Sequence, residues 1–475
     1  MKYIQLRYCL LVASIATVFS FGGCNVEEDI YSALPGEEEQ TAGNTKLILS
    51  VNATGPNNTT RVIASEIEGT TDESSYRSVT IYFTNTENII ENSIICTITS
   101  GQKNIIIPIN EQDIELDEPK YIYLAANPTE KMQQSLTSGT NIKEAIGTIT
   151  DINEITTNGN FLMLGQATSN KNKTITFVRG TITSASVTLS RVSAKVLVTA
   201  NVGKDGYIEN VEDGFIRKEN LRYMLQTTNG KFRYLPNDDR TDTNHIITDL
   251  LERRNGSIEY KTDDGEFLNL NKWNISNGNG TTITRRDDNR MNNGPDAYTE
   301  GIYCLENTTS ATDGLELSAA ETADIPKMVT TYLRIAAKII PNKINGTTYE
   351  NGTEAQEVLV PDGTFYTYTK AREADKKMCY SSIEEAKTYL RSQGYNILPD
   401  SDFKKYENGW VYFEVYINGK AFDAEKSSLY RNNYYIVNII KITAPIVDQT
   451  IEINTKITDW KNKGTTIIDI ETPTT

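Results

Sequence analysis

The chain has one histidine in 475 residues, His245. That scarcity argues against most hydrolytic triads and imidazole-rich metal sites, which rely on a group that is neutral near pH 7. Cysteine is nearly as sparse, with five residues and no CxxC pair. Cys9 lies inside an N-terminal apolar segment, and Cys96, Cys304 and Cys379 are far apart and odd in number. They form neither a disulfide framework nor a zinc site and read as small buried hydrophobes. Positive charge is also short: 47 Lys and Arg stand against 63 Asp and Glu, a formal charge of -16. Residues 1–23 contain Lys2 and Arg7 and no acid, so a chain without them carries -18. Such a surface repels phosphate backbones and excludes nucleic acid as the expected partner. No nucleophile with its base and no phosphate loop is present, so no catalytic residue, cofactor or metal ligand is assigned. A carboxylate-only hydrolase is the remaining enzymatic reading, and no acid pair stands in an apolar frame that separates two pKa values.

What is abundant is strand material. A hydrophobic fraction of 38% with 26 Tyr, and many Thr and Ile between Asn and Gly turns, favours a mostly β protein. The length exceeds one ordinary core, so two domains are expected. The only long apolar run, 10–21, follows Lys2 and Arg7 and suits the core of an export signal over residues 1–23. It ends in Phe21-Gly22-Gly23-Cys24, which resembles a bacterial lipobox with Phe21 in place of the usual Leu. Cys24 is then the lipidated (palmitate-bearing) first residue; a plain secretory signal with an incidental cysteine is the alternative. Glu27, Glu28 and Asp29 resemble the acidic flank of surface-displayed lipoproteins, or form a solvated linker.

Leu47, Leu49 and Val51 alternate with Ile48 and Ser50 as one strand with a buried face. Residues 52–60 then run Asn-Ala-Thr-Gly-Pro-Asn-Asn-Thr-Thr, an exposed loop of the kind proteases cut, with Arg61 at its end. Arg61 marks a cut or merely begins the next strand, and Arg77 is a second basic residue nearby. Further strands are expected at 78–84, 93–99, 104–109, 120–125, 161–164, 174–178 and 185–198, with partial helix over 130–146. In 189–200, Val192, Ala194, Val196 and Val198 share one face, which leaves Arg191 and Lys195 as edge or solvent charges. A boundary falls near 205.

Beyond it, 237–297 is a polar insertion. Its Asp-rich stretches at 263–267 and 285–290 offer oxygen ligands for calcium but read better as turn acids. Residues 383–390 carry a helical stripe of Ile383, Ala386, Tyr389 and Leu390, closed by Gly394. Residues 410–417 and 430–442 are expected as neighbouring strands. Tyr366, Tyr368, Trp410, Tyr412, Tyr434 and Tyr435 are either strand packing or a sugar-stacking platform. Ile451, Ile453, Thr455 and Ile457 alternate with polar residues in a last strand.

The lipobox at Cys24, a strand and "NNTTR" before the next, "LSRVSAKV" at 189–196, "YCLEN" at 303–307, "RNNYYIVNI" at 431–439 and "ITDW" at 457–460 together resemble the Bacteroidetes fimbrilins, subunits of type V pili, of the minor-fimbria shaft type. Order and spacing carry the resemblance over nearly the whole chain, apart from the insertion at 237–297. It implies two β-sandwich-like (transthyretin-like) domains with a few short helices: a signal at 1–23, a lipidated pro-segment at 24–61, an N-terminal domain at 62–205 and a C-terminal domain at 206–475. It implies export to the outer membrane and cell surface, with an arginine-specific protease cutting after Arg61. The strand holding Leu47, Leu49 and Val51 then departs from the edge of a sandwich. A donor strand within about 446–470, carrying Ile451, Ile453, Ile457 and Trp460, fills the groove of another subunit. The implied partners are other copies or related fimbrial subunits, the protease, and host or bacterial surface receptors. A tip or anchor component, and a surface glycan-binding lipoprotein using the aromatic row, are the alternative readings.

Overall fold

A computed structural model describes residues 45–52, 67–68, 71–98, 104–157, 160–243, 245, 251–254, 257–260, 267–268, 281–282, 284–285, 301–310, 318, 325–417, 422, 427–443 and 450–461. Cys24, Arg61 and most of the two Asp-rich stretches lie outside them. The chain is mostly β, with short helices. The strands used below are β1 Lys46–Asn52, β2 Ser78–Thr84, β3 Ile90–Thr97, β4 Asn104–Pro108, β5 Pro119–Ala126, β6 Met163–Thr168 and β7 Ile182–Thr188. They continue with β8 Ser193–Ala200, β9 Gly214–Gln226, β10 Ile302–Leu305, β11 Tyr332–Pro341, β12 Trp410–Tyr416, β13 Asn433–Thr443 and β14 Thr450–Lys461. The helices are α1 Thr71–Ser74, α2 Glu130–Ser135 and α3 Ile383–Ser392.

The first sheet runs β3-β2-β5-β6-β7-β1-β4. Leu47 and Leu49 from one end share a single core with Val79 and Ile81 from the other, so the sheet closes over its own apolar side. The second sheet runs β14-β13-β8, with β10 against the other edge of β8. A third sheet holds β9, β11 and β12 in that order. Val196, Val198, Tyr435 and Val437 of the second sheet meet Tyr223, Ile335, Val411 and Phe413 of the third in one core, the β-sandwich arrangement.

The adjacency expected of 410–417 and 430–442 is therefore wrong: β12 and β13 lie in different sheets and face each other across the core. Both alternate strongly, and alternation reports a buried face without saying which strand lies alongside. The chain leaves the first sheet at Arg191, where Ser190–Arg191 still pairs with Leu164 and Met163 of β6, and enters the second at Ser193.

Local expectations fare well where punctuation is strong. In α3, Ser382 Oγ accepts a hydrogen bond from the Glu385 amide (3.1 Å), Ala386 and Leu390 are buried, and Gly394 takes φ +85° just past the end. Over 130–146 only α2 is helical; Thr129 caps it, and it ends at Leu136, whose backbone (φ -98°, ψ 72°) is no longer helical. Cys304 and Cys379 are free and buried, with both thiols pushed up by desolvation, Cys304 to about 12. Cys96 is likewise buried, at 2% exposure.

Candidate functional site: the first strand, its slot and the C-terminal strand

The strand expected at Leu47 to Val51 forms as β1, with Leu47 and Leu49 fully buried and Val51 at 5% exposure. It is not an edge strand. β1 lies between β7, to which it runs parallel, and β4, to which it runs antiparallel. Leu47 sits opposite Thr183 and Ile107, and Leu49 opposite Ala185 and Ile105. Its entry is fixed as well. The Lys46 amide donates to Thr181 O (3.1 Å), the Ile109 amide to Thr45 O (2.9 Å) and the Gly180 amide to Thr45 Oγ1 (2.9 Å). Its three inward side chains are each worth about 1.5–3 kcal/mol of apolar burial. Taking β1 away would uncover two ladders of N–H and C=O groups, one on each wall of the slot.

The segment after β1 is tied to the second sheet. Ile67–Glu68 pairs parallel with Trp460 and Lys461 at the far end of β14. α1 follows, and its Glu73 is buried: Oε1 accepts from Lys195 Nζ at 2.6 Å and from the Tyr303 hydroxyl. Glu73 O accepts from Arg191 Nε at 3.0 Å, and the Arg191 amide donates to Asn432 Oδ1 at 3.1 Å. Arg191 and Lys195 are 1% and 0% exposed, so they are not the edge or solvent charges expected of them. β8 is covered on both faces, because the second face, with Leu197, packs on Phe161, Tyr434 and Ile436. Burial draws the Arg191 guanidinium down to about 10 against the opposing pull of Glu73. Burial, reinforced by the Glu73 charge, pushes the Tyr303 phenol up. Sequence reasoning missed Glu73. The available signal was Leu189 and Leu197 on the face assigned to solvent, which marks a strand buried on both sides.

Arg77 is exposed, but its backbone is engaged. Its amide donates to Asn127 Oδ1 (3.0 Å), its carbonyl accepts from the Ile98 amide (2.9 Å), and β2 begins at the next residue. Asn127 Nδ2 also holds Ser75 O and Phe161 O, both at 3.0 Å. A protease needs an extended, unpaired segment in its cleft, and 75–77 is not one.

β14 pairs antiparallel with β13 from Thr450 opposite Thr443 to Asp459 opposite Asn433. Ile451 is buried, and Ile453 and Ile457 pack half-buried on the sandwich core. Residues Ile451, Ile453 and Ile457 thus serve the core of their own sheet here, while Trp460 contributes its backbone to the pairing with Ile67.

No family model and no curated protein matches the chain. Solved structures similar to it include a protein from Parabacteroides distasonis described as a cell adhesion protein, at 12% identity over 89% of this chain and 99% of that one, with a TM-score of 0.43. A fimbrilin from Porphyromonas gingivalis is similar at 13% identity over 89% and 99%, TM-score 0.42. A C-terminally truncated tip fimbrial protein from Porphyromonas gingivalis is similar at 16% identity over 87% and 100%, TM-score 0.36. At these identities and TM-scores the likeness by itself carries no functional argument. The strand arrangement does.

Three residues of the aromatic row are withdrawn from any stacking platform. Tyr434 and Tyr435 are 1% exposed, and Tyr368 packs on Tyr395 and Phe403 inside a small core.

Proposed function

We propose that the chain is a structural fimbrial subunit, not an enzyme, exported as a lipoprotein through Cys24, cut after Arg61 and assembled at the cell surface by strand exchange in support of adhesion. The observation that carries this reading is the position of β1. A strand that comes first among the described residues, precedes Arg61 in the sequence and is inserted between two other strands leaves a two-walled apolar slot when removed. An extended segment from a second subunit can add to both walls. That contact is head-to-tail and does not close on itself, which yields a filament.

Arg61 is taken as the cut in preference to Arg77; loss of 62–77 would take Glu73 from Lys195 and Arg191 and strip Ile67–Glu68 from β14, which supports the choice. The donated segment lies within 446–470. Thr450–Lys461 already completes the second sheet, so its removal would expose β13. Donation that spares the fold starts beyond Lys461, where Thr466, Ile468 and Ile470 reproduce the spacing of Leu47, Leu49 and Val51.

The test is N-terminal sequencing of the mature protein from cells, followed by assembly of Arg61→Ala and of a chain ending at Lys461. A mature chain beginning at Val62, with assembly lost in both variants and folding retained, is expected. A correctly trimmed protein that keeps its C-terminal segment yet stays monomeric refutes the proposal.

A further inference from the structure

One wall of the slot depends on the strand it encloses. Among the described residues β4 pairs with β1 alone, whereas β7 also pairs with β6. β1 runs parallel to β7 and antiparallel to β4, so β4 already runs antiparallel to β7, the orientation in which the two can pair directly. Their registers match through β1: Ile106 and Ser184 share Ile48, and Ile105 and Ala185 share Leu49. The turn after β4 is fastened to the turn that leads into β7 by contacts that do not involve β1. Arg179 Nη2 lies 2.5 Å from Glu111 Oε2, and the Asp117 amide donates to Phe177 O at 2.8 Å.

We infer that β4 is a strap: once β1 is gone, it moves across one strand spacing, about 4.8 Å, pairs with β7 and closes the slot until an incoming strand reopens it. The inference rests on the reading above that β1 is removed. Closure satisfies the ladder groups of β7 that the cut leaves bare. It also places Ile105 and Ile107 opposite the small residues Ala185 and Thr183, where bulk can be accommodated. An incoming strand displaces the strap because it offers a ladder to each wall, while the strap offers one. A cut subunit awaiting a partner is thereby kept from pairing with unrelated edges.

The test is a disulfide trap in the full chain. Ile106→Cys with Ser184→Cys places two outward-facing thiols on strands two spacings apart, about 9–10 Å, too far to bond while β1 is in place. After cleavage by an arginine-specific protease, at a dilution that keeps subunits apart, a crosslink is expected in most of the cut monomer and in none of the uncut chain. The crosslinked subunit should take no donor strand until reduced. Asn104→Cys with Ser186→Cys reads the same register and replaces the first pair should that fold poorly. A cut subunit that has lost β1 and polymerises, yet gives no crosslink with either pair as a monomer, overturns the strap alone. A cut subunit that retains β1, with neither crosslink nor polymer, overturns both the strap and the reading it rests on.

Discussion

Glu73 offers the sharpest test of how the chain after β1 is held. Its carboxylate lies 2.6 Å from Lys195 Nζ in a site where Glu73 and Lys195 side chains are 5% and 0% exposed, and its carbonyl takes the Arg191 guanidinium at 3.0 Å. Glu73→Ala leaves both cations buried beside a void. Removing one partner of a buried ion pair costs about 3–5 kcal/mol, because the remaining charge has lost water without gaining a counter-charge. The faces of Tyr303 and Tyr434, with ring centroids 5.2 and 5.3 Å from Lys195 Nζ, return part of that, about 0.5–2 kcal/mol. The expected loss is therefore about 3 kcal/mol, measured by urea unfolding at pH 7. Adding Lys195→Met to Glu73→Ala removes the stranded ammonium and should recover much of the loss, so that the double variant is less destabilised than the sum of the two single ones. Hydrogen exchange at Ile67 and Trp460 should quicken in Glu73→Ala, since α1 no longer pins the preceding segment on β14. A Glu73→Ala protein within about 0.5 kcal/mol of the parent, typical of surface sites, would refute the assignment of Glu73 as the anchor.

Leu49→Ala should cost the uncut chain about 2–5 kcal/mol through lost burial and a residual cavity, while, under the proposed loss of β1 on maturation, leaving the stability of assembled fibres unchanged; thermal melts of the two forms check this. Asn127→Ala leaves the Arg77 amide and the Ser75 and Phe161 carbonyls without that partner, at about 1–3 kcal/mol per buried group left unpaired, and mass spectrometry after limited digestion should show a new cut after Arg77. Alkaline pH should unfold the protein. The phenols of Tyr82, Tyr123, Tyr303, Tyr380 and Tyr435 are all pushed above their ordinary value near 10, first by burial. The folded state keeps these protons while the unfolded state releases them, so stability is full below pH 10 and falls as pH rises past it. Absorbance at 295 nm should show these tyrosines ionising only together with loss of structure; independent titration of all of them in a folded chain would contradict their burial.

The sequence by itself determined what is local. Leu47, Leu49 and Val51 show their inward face through a period of two, and Ser382 with Gly394 brackets α3 through capping geometry that involves no distant partner. The run of Cys24, β1 and Arg61 in one line is likewise a property of the chain order. Tertiary structure alone decided which strands lie side by side. Alternation is the same for an edge strand and an inner one, so β1 reads equally well at the border of a sheet, yet it stands between β7 and β4. The same ambiguity put β12 beside β13, when each closes a different layer of the sandwich. Arg191 and Lys195 were misplaced for a related reason. A charge on the second face of a strand points to solvent unless something covers it, and the cover, Glu73 on α1, is 118 residues away from Arg191 in sequence. Propensity and periodicity act over a few residues, whereas pairing and charge burial are settled by segments that meet only once the chain has folded.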